Sequence, residues 1–209
     1  MRTKSHEGSD LVISNERADS SWRTVDIVVA AVIAVAFGVV FWAWGLAWNA
    51  WAPFFGGGTN PPLYLISGVW LMPAVLGALV IRKPGAGIFT EALAAVISAL
   101  IGSAWGLDTV ASGIMQGAGA ELVFALILYR SFGLPVAVLA AAGAAAGEWI
   151  HDMAFYYQGT AFDIQLTIGA FMLVSAVVIA GIGSWLLTRA LAQTGVLAPF
   201  PSGGSQRPV

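Results

Sequence analysis

The sequence predicts an all-α membrane protein, a compact bundle of six transmembrane helices with both termini in the cytoplasm. Three observations predict it. Hydrophobic residues make up 58% of the chain and charged residues only 10%, with a mean hydropathy of +0.83, well outside the soluble norm. The apolar residues fall into six runs, and a hydrocarbon core of about 30 Å needs roughly 20 helical residues per crossing. Finally, the nine Lys and Arg residues occupy alternate connections. Arg2, Lys4, Arg17 and Arg23 precede the first run, and Arg82 and Lys83 separate the second from the third. Arg130 separates the fourth from the fifth, and Arg189 and Arg207 follow the last. The intervening connections carry no basic residue, which is the positive-inside pattern.

Each element follows in order. Residues 1–22 are polar and mixed in charge, and read as a disordered cytoplasmic tail; the next apolar run is too long for the core of a signal peptide. The membrane domain covers residues 23–190. Its first span runs from Thr24 to Ala50, with Trp48, Trp51 and Pro53 marking the outer interface. The loop from Pro53 to Pro62 joins flexible glycines to stiff prolines, as a lid or an interfacial connector would. Span two covers Leu63 to Ile81, and Arg82-Lys83-Pro84-Gly85 forms a tight turn. Span three covers Ala86 to Ser103, span four Thr109 to Tyr129, and span five Leu134 to Tyr157. Span six follows the connector Gln158–Asp163 and ends near Arg189. Residues 191–209 form a second cytoplasmic tail, read as disordered from Pro199 onward.

Small residues recur at four-residue spacing: Ala30, Ala34 and Gly38 on span one, Gly113 and Gly117 on span four, Gly143 and Gly147 on span five. Such faces let helix backbones approach closely in lipid. They serve either as seams within the bundle or, for the span-one stripe, as a docking face for a partner. Little length remains for a soluble module, so any ATP used must be hydrolysed by another chain. The chain has no cysteine, and its formal charge of −2 does not suggest a nucleic-acid partner. No cofactor is expected.

Four acids lie inside apolar spans: Glu91, Glu121, Glu148 and Asp152. A carboxylate at mid-bilayer is costly and should face the bundle interior, a cavity or a partner. No Lys or Arg sits at comparable depth. On span five Glu148, His151, Asp152 and Phe155 share one helix face, with Glu148 roughly 14 Å below the outer end at about 1.5 Å per residue. Gln116 lies in the outer half of span four, and five residues put it about 140° around the helix from Glu121, so the two cannot both face one site. Trp48, Trp70, Asn49 and Tyr156 gather at the same outer level, whereas Trp51, Trp105 and Tyr157 read as interfacial-belt residues. His151 and Asp152 can simply pair with each other, and Glu91 can be a protonated residue bonded to a helix carbonyl. Acids without cationic partners beside indole faces suit a cation or a planar, amine-bearing ring. The expected substrate contacts are therefore Glu121, Glu148, Asp152, His151, Trp48, Trp70, Gln116, Asn49 and Tyr156.

Other classes fit less well. Glu148-Trp-Ile-His151 is a Glu-x-x-His element, but helical di-metal sites need a second copy, and the only other histidine is His6. One histidine is also a poor zinc ligand set. An independent cation-coupled transporter would be expected to carry interrupted helices in matching halves, which are not evident.

The stretches Trp22-Arg-Thr-Val-Asp-Ile27, Phe37-Gly-Val-Val-Phe-Trp42, Trp48-Asn-Ala-Trp51, Gln116-Gly-Ala-Gly-Ala-Glu121 and Glu148-Trp-Ile-His-Asp152 carry a resemblance. From Trp22 to Arg189 the chain resembles the substrate-binding S components of energy-coupling-factor (ECF) transporters, and among them the YkoE family, associated with thiamine or its hydroxymethylpyrimidine precursor. That resemblance implies a six-helix, non-enzymatic bundle in the cell membrane that captures a vitamin from outside. It implies delivery through a transmembrane T component and ATP-binding subunits, with Ala30 and Ala34 on the docking face. Another vitamin or planar nitrogen heterocycle is the alternative ligand.

Overall fold

The computed structural model describes residues 21–56 and 59–204. Every regular element among them is helical. Five stretches are long and apolar enough to cross a membrane: Thr24–Phe55, Pro61–Ile81, Asp108–Leu126, Leu134–Phe155 and Phe162–Gln193. The shorter apolar helix Ala86–Leu100 lies between the second and third of them.

Helix α1 spans Thr24–Trp51; its N-terminus is closed by Asp26, whose carboxylate accepts from the Arg23 N–H at 2.7 Å and pairs with Lys83 at 2.7 Å. A short 3₁₀ turn, Ala52–Phe55, leads to a long 3₁₀ segment, Pro61–Leu71, entered through two prolines that preset φ. This segment passes into α2, Met72–Ile81. Helices α3 (Ala86–Leu100), α4 (Asp108–Leu126) and α5 (Leu134–Phe155) follow. Helix α6, Phe162–Ser175, continues through a π-helical stretch, Ala176–Ile182, into α7, Gly183–Gln193.

The small residues are seams inside the chain. A Cβ on Gly119 of α4 would run into the carbonyl of Gly143 on α5, and the converse holds for Gly143. The span-one stripe behaves likewise. Ala30 and Ala34 are fully buried, Ala34 packing with Ala94 of α3 and Ala30 with Leu76, Val80 and Ala86. The expected docking stripe is therefore not an outer surface: its small side chains are consumed by close helix packing within the bundle.

The second difference is at the C-terminus. The segment expected to be disordered from Pro199 folds back as far as residue 204, ending in the short helix α8, Pro201–Gly204. Leu197 and Phe200 are buried against Ala30, Leu76, Val80 and Ile81. Ser202 donates to the Val80 carbonyl at 2.8 Å, and Arg82 and Arg23 bond the carbonyls of Pro201 and Pro199. The last turn of α2 leaves carbonyls without helical donors, and the one at Val80 is met by Ser202. The rest of the predicted tails, residues 1–20 and 205–209, lies outside the described residues.

The Lys and Arg among the described residues gather at one end of the bundle. Arg23, Arg82, Lys83, Arg130 and Arg189 mark one end, and Asp108, Tyr156 and Asp163 the other.

Candidate functional site

At the end away from the basic residues, a cavity of about 320 Å³ lies between α1, the 3₁₀ segment, α3, α4 and α5. Asn49, Thr59 and Tyr156 are its exposed rim, while Phe41, Ala95, Gly113 and Gln116 lie deeper. A volume of this size falls at the lower end of ligand pockets, roughly 300–1,000 Å³.

One wall is aromatic. Trp48 meets Tyr64 and Trp70 edge to face, with centroids 5.2 and 5.1 Å apart, and Trp70 meets Trp105 at 5.6 Å. Tyr64, Ser67 and Trp70 come from the 3₁₀ segment at intervals of three, and three residues per turn places them on one line. Ser175 of α6 fixes that segment by accepting from the Gly68 N–H at 2.8 Å and donating to the Leu65 carbonyl at 2.7 Å.

The facing wall is acidic. Glu148 Oε2 accepts from Ser112 Oγ and from Gln116 Nε2, both at 2.5 Å. Gln116 Oε1 is buried without a partner among the described residues. Nearer the rim, His151 bridges two acids: Nδ1 is 3.3 Å from Asp152 and Nε2 is 3.2 Å from Asp108. Tyr157, fully buried, donates to Asp152 Oδ2 at 2.9 Å, and Tyr156 donates to Asp108. Burial first, and the Asp108 bond second, push the Tyr156 phenol up, so it stays a donor at neutral pH. The ligating atoms of Glu148, His151 and Asp152 lie within 4.8 Å of one another.

Of the nine residues expected at the site, eight line this cavity: Trp48, Asn49, Trp70, Gln116, Glu148, His151, Asp152 and Tyr156. Glu121 does not. Its carboxylate sits at the opposite end, accepting from the N–H groups of Gly85 at 2.6 Å, Gly87 at 2.9 Å and Ile88 at 3.3 Å. It also accepts from the Tyr129 hydroxyl at 2.7 Å. These are the orphan donors of the first turn of α3, where a carboxylate is favoured by the helix dipole. Glu91 is fully buried and, instead of donating to a carbonyl, accepts from the Ala74 N–H at 2.8 Å where the 3₁₀ segment becomes α2.

Several lining residues escaped the sequence reading. Trp105 lines the cavity rather than serving only as a belt residue, and Tyr157 is a buried support for Asp152. Asp108 and Ser112 also escaped it, although with the expected Gln116 they recur at intervals of four on α4, a polar stripe that periodicity alone could have found.

Comparison with known proteins places this arrangement. A family model described as the permease component of an ABC-type cobalt transport system matches residues 25–147. The HMP/thiamine permease protein YkoE of Bacillus subtilis (strain 168) is 34% identical over 178 residues, which is 85% of this chain and 88% of that protein. A solved structure of an S component of an ECF transporter matches with a TM-score of 0.84 at 32% identity, covering 88% of this chain and 93% of that one. The chain belongs to the S components of ECF transporters, in the YkoE family, and is a multi-pass bacterial membrane protein of transport rather than catalysis.

Proposed function

We propose that this S component captures thiamine or its hydroxymethylpyrimidine precursor from outside the cell and passes it to a T component and ATP-binding subunits for import. In this reading the bundle crosses six times, both termini are cytoplasmic, and the cavity opens outward. The observation that carries it is a cavity with indole faces on one side and, on the other, the Glu148 carboxylate and a buried Gln116 Oε1 without a partner among the described residues. An aminopyrimidine offers N–H donors to those oxygens, and a thiazolium ring is a planar cation for the rings of Trp48, Trp70 or Trp105. Holding both in a prepositioned frame limits the ordering cost of binding. The name of the Bacillus relative agrees with this ligand class.

Calorimetry on the detergent-purified chain tests it. Thiamine or hydroxymethylpyrimidine should bind, and Glu148→Gln should weaken that binding by about tenfold or more, since a charge-assisted bond is lost. Absence of heat with both ligands would sink the assignment.

A second reading is a divalent metal ion as cargo, supported by the convergence of Glu148, His151 and Asp152 and by the description of the matching family model. It is the weaker one: both His151 nitrogens already face carboxylates, and the aromatic wall has no use for an ion. Titration with Co²⁺ in the same calorimeter separates the two.

A further inference from the structure

Every side chain of fixed charge on the cavity wall is acidic. Asp108, Glu148 and Asp152 line it, and among the described residues no Lys or Arg does. The donors nearby are already committed to those acids. Ser112 and Gln116 Nε2 point to Glu148, Tyr156 points to Asp108, and His151 lies between Asp108 and Asp152. What stays open is acceptor capacity: Gln116, only 4% exposed, has its Oε1 without a partner among the described residues.

A phosphate ester brings the opposite chemistry. It adds one or two negative charges and several acceptor oxygens, and needs guanidinium, ammonium or backbone N–H donors. Here it would meet carboxylates in a confined, partly desolvated space, where like-charge contact is strongly unfavourable. Asp108 stands nearest the opening, with its side chain 31% exposed, and Asp152 lies deeper at 11%. A tail leaving the cavity along α4 and α5 passes this pair.

Resting on the ligand class proposed above, we infer that the site accepts the free alcohol form of its ligand and rejects the phosphate ester, with Asp108 and Asp152 setting the discrimination. An ester in the medium must therefore first lose its phosphoryl group to water, through a phosphomonoester hydrolase that yields the alcohol and inorganic phosphate. Only the alcohol is then captured.

Quenching of tryptophan fluorescence on the full-length chain in detergent micelles provides the test, with thiamine and thiamine monophosphate as probes. Each is titrated in EDTA and again in excess Mg²⁺, because Mg²⁺ can bridge carboxylates to a phosphate. In both buffers the alcohol should bind at least ~100-fold more tightly than the ester, and Asp108→Asn or Asp152→Asn should shrink that ratio about tenfold. The wild-type ratio decides even if a variant folds poorly. An ester within tenfold of the alcohol, in either buffer, overturns the inference while leaving the ligand class intact. Failure of thiamine, its monophosphate and hydroxymethylpyrimidine to bind at all removes the ligand class and this inference together.

Discussion

Glu148 and Glu121 look alike in the sequence: both are acids amid apolar helix, both expected to touch a ligand. In the fold they part. Glu148 lines the cavity and shares one oxygen with Ser112 and Gln116, whereas Glu121 is saturated by three amides and a phenol. Glu121→Gln should therefore leave thiamine affinity within about twofold, because it stands at the far end, yet lower the melting temperature through a cap bond worth about 1–2 kcal/mol. Calorimetry and a thermal melt on one preparation read both. The Tyr129 phenol, pushed up by burial and then by its bond to Glu121, remains protonated through the neutral range, so this anchor should not weaken between pH 6 and pH 9 (a window set by the ordinary phenol value near 10). Tyr157→Phe makes a sharper test of the site: it strips a donor from Asp152 without touching the cavity volume, and affinity should fall several-fold, the equivalent of about 1 kcal/mol. Of the eight expected residues that line the cavity, Glu148, Asp152, Trp48 and Trp70 stood out in the sequence because intramembrane acids and deep tryptophans are rare. Tyr157 and Trp105 did not, since belt rings and pocket rings have the same sequence signature at a helix end.

At the scale of elements, the informative departure is Pro61–Leu71. Its 11 residues form a 3₁₀ helix, longer than such runs usually are. An apolar stretch of this length reads as α, and at 100° per residue Tyr64 and Trp70 would face apart. At 120° they align with Ser67 on the cavity wall, which is why the sequence pointed to Trp70 but not to its two companions. Gly68 holds the arrangement: a Cβ there would sit 2.5 Å from the Ser175 carbonyl oxygen. Gly68→Ala should thus cost about 1–3 kcal/mol through overpacking and weaken ligand binding as well, whereas Gly119→Ala, on the α4–α5 seam, should lower stability by a similar amount at a distance from the aromatic wall. A melt paired with a tryptophan-quenching titration separates these effects. The C-terminal segment is the other element the sequence misled on. Its Pro, Gly and Ser content suggests disorder, but Leu197 and Phe200 are apolar anchors spaced to fill the base of α1 and α2, and two anchors three residues apart do not register as a periodic pattern.

For the molecule as a whole, the apolar runs follow the helix order, and the structure differs mainly in which runs are long: Ala86–Leu100 is short for a full crossing. The native chain contains no cysteine, so single-cysteine variants report topology without background. Thr59→Cys should react with a membrane-impermeant maleimide in intact cells, and Arg130→Cys only after the membrane is opened. The reverse pattern would turn the bundle upside down and with it the direction of capture.

Burial of Ala30 and Ala34 also constrains whatever lies beside α1. With its alanines turned inward, the helix presents Val28, Val32, Val35 and Val39 to its surroundings, each at least half exposed. Branched at Cβ and stiff at χ1, these side chains form a rugged ridge instead of a smooth groove. A neighbouring helix must mesh with that ridge at an ordinary separation of about 8–10 Å, and the contact is then easier to slide or part than a backbone-to-backbone clasp.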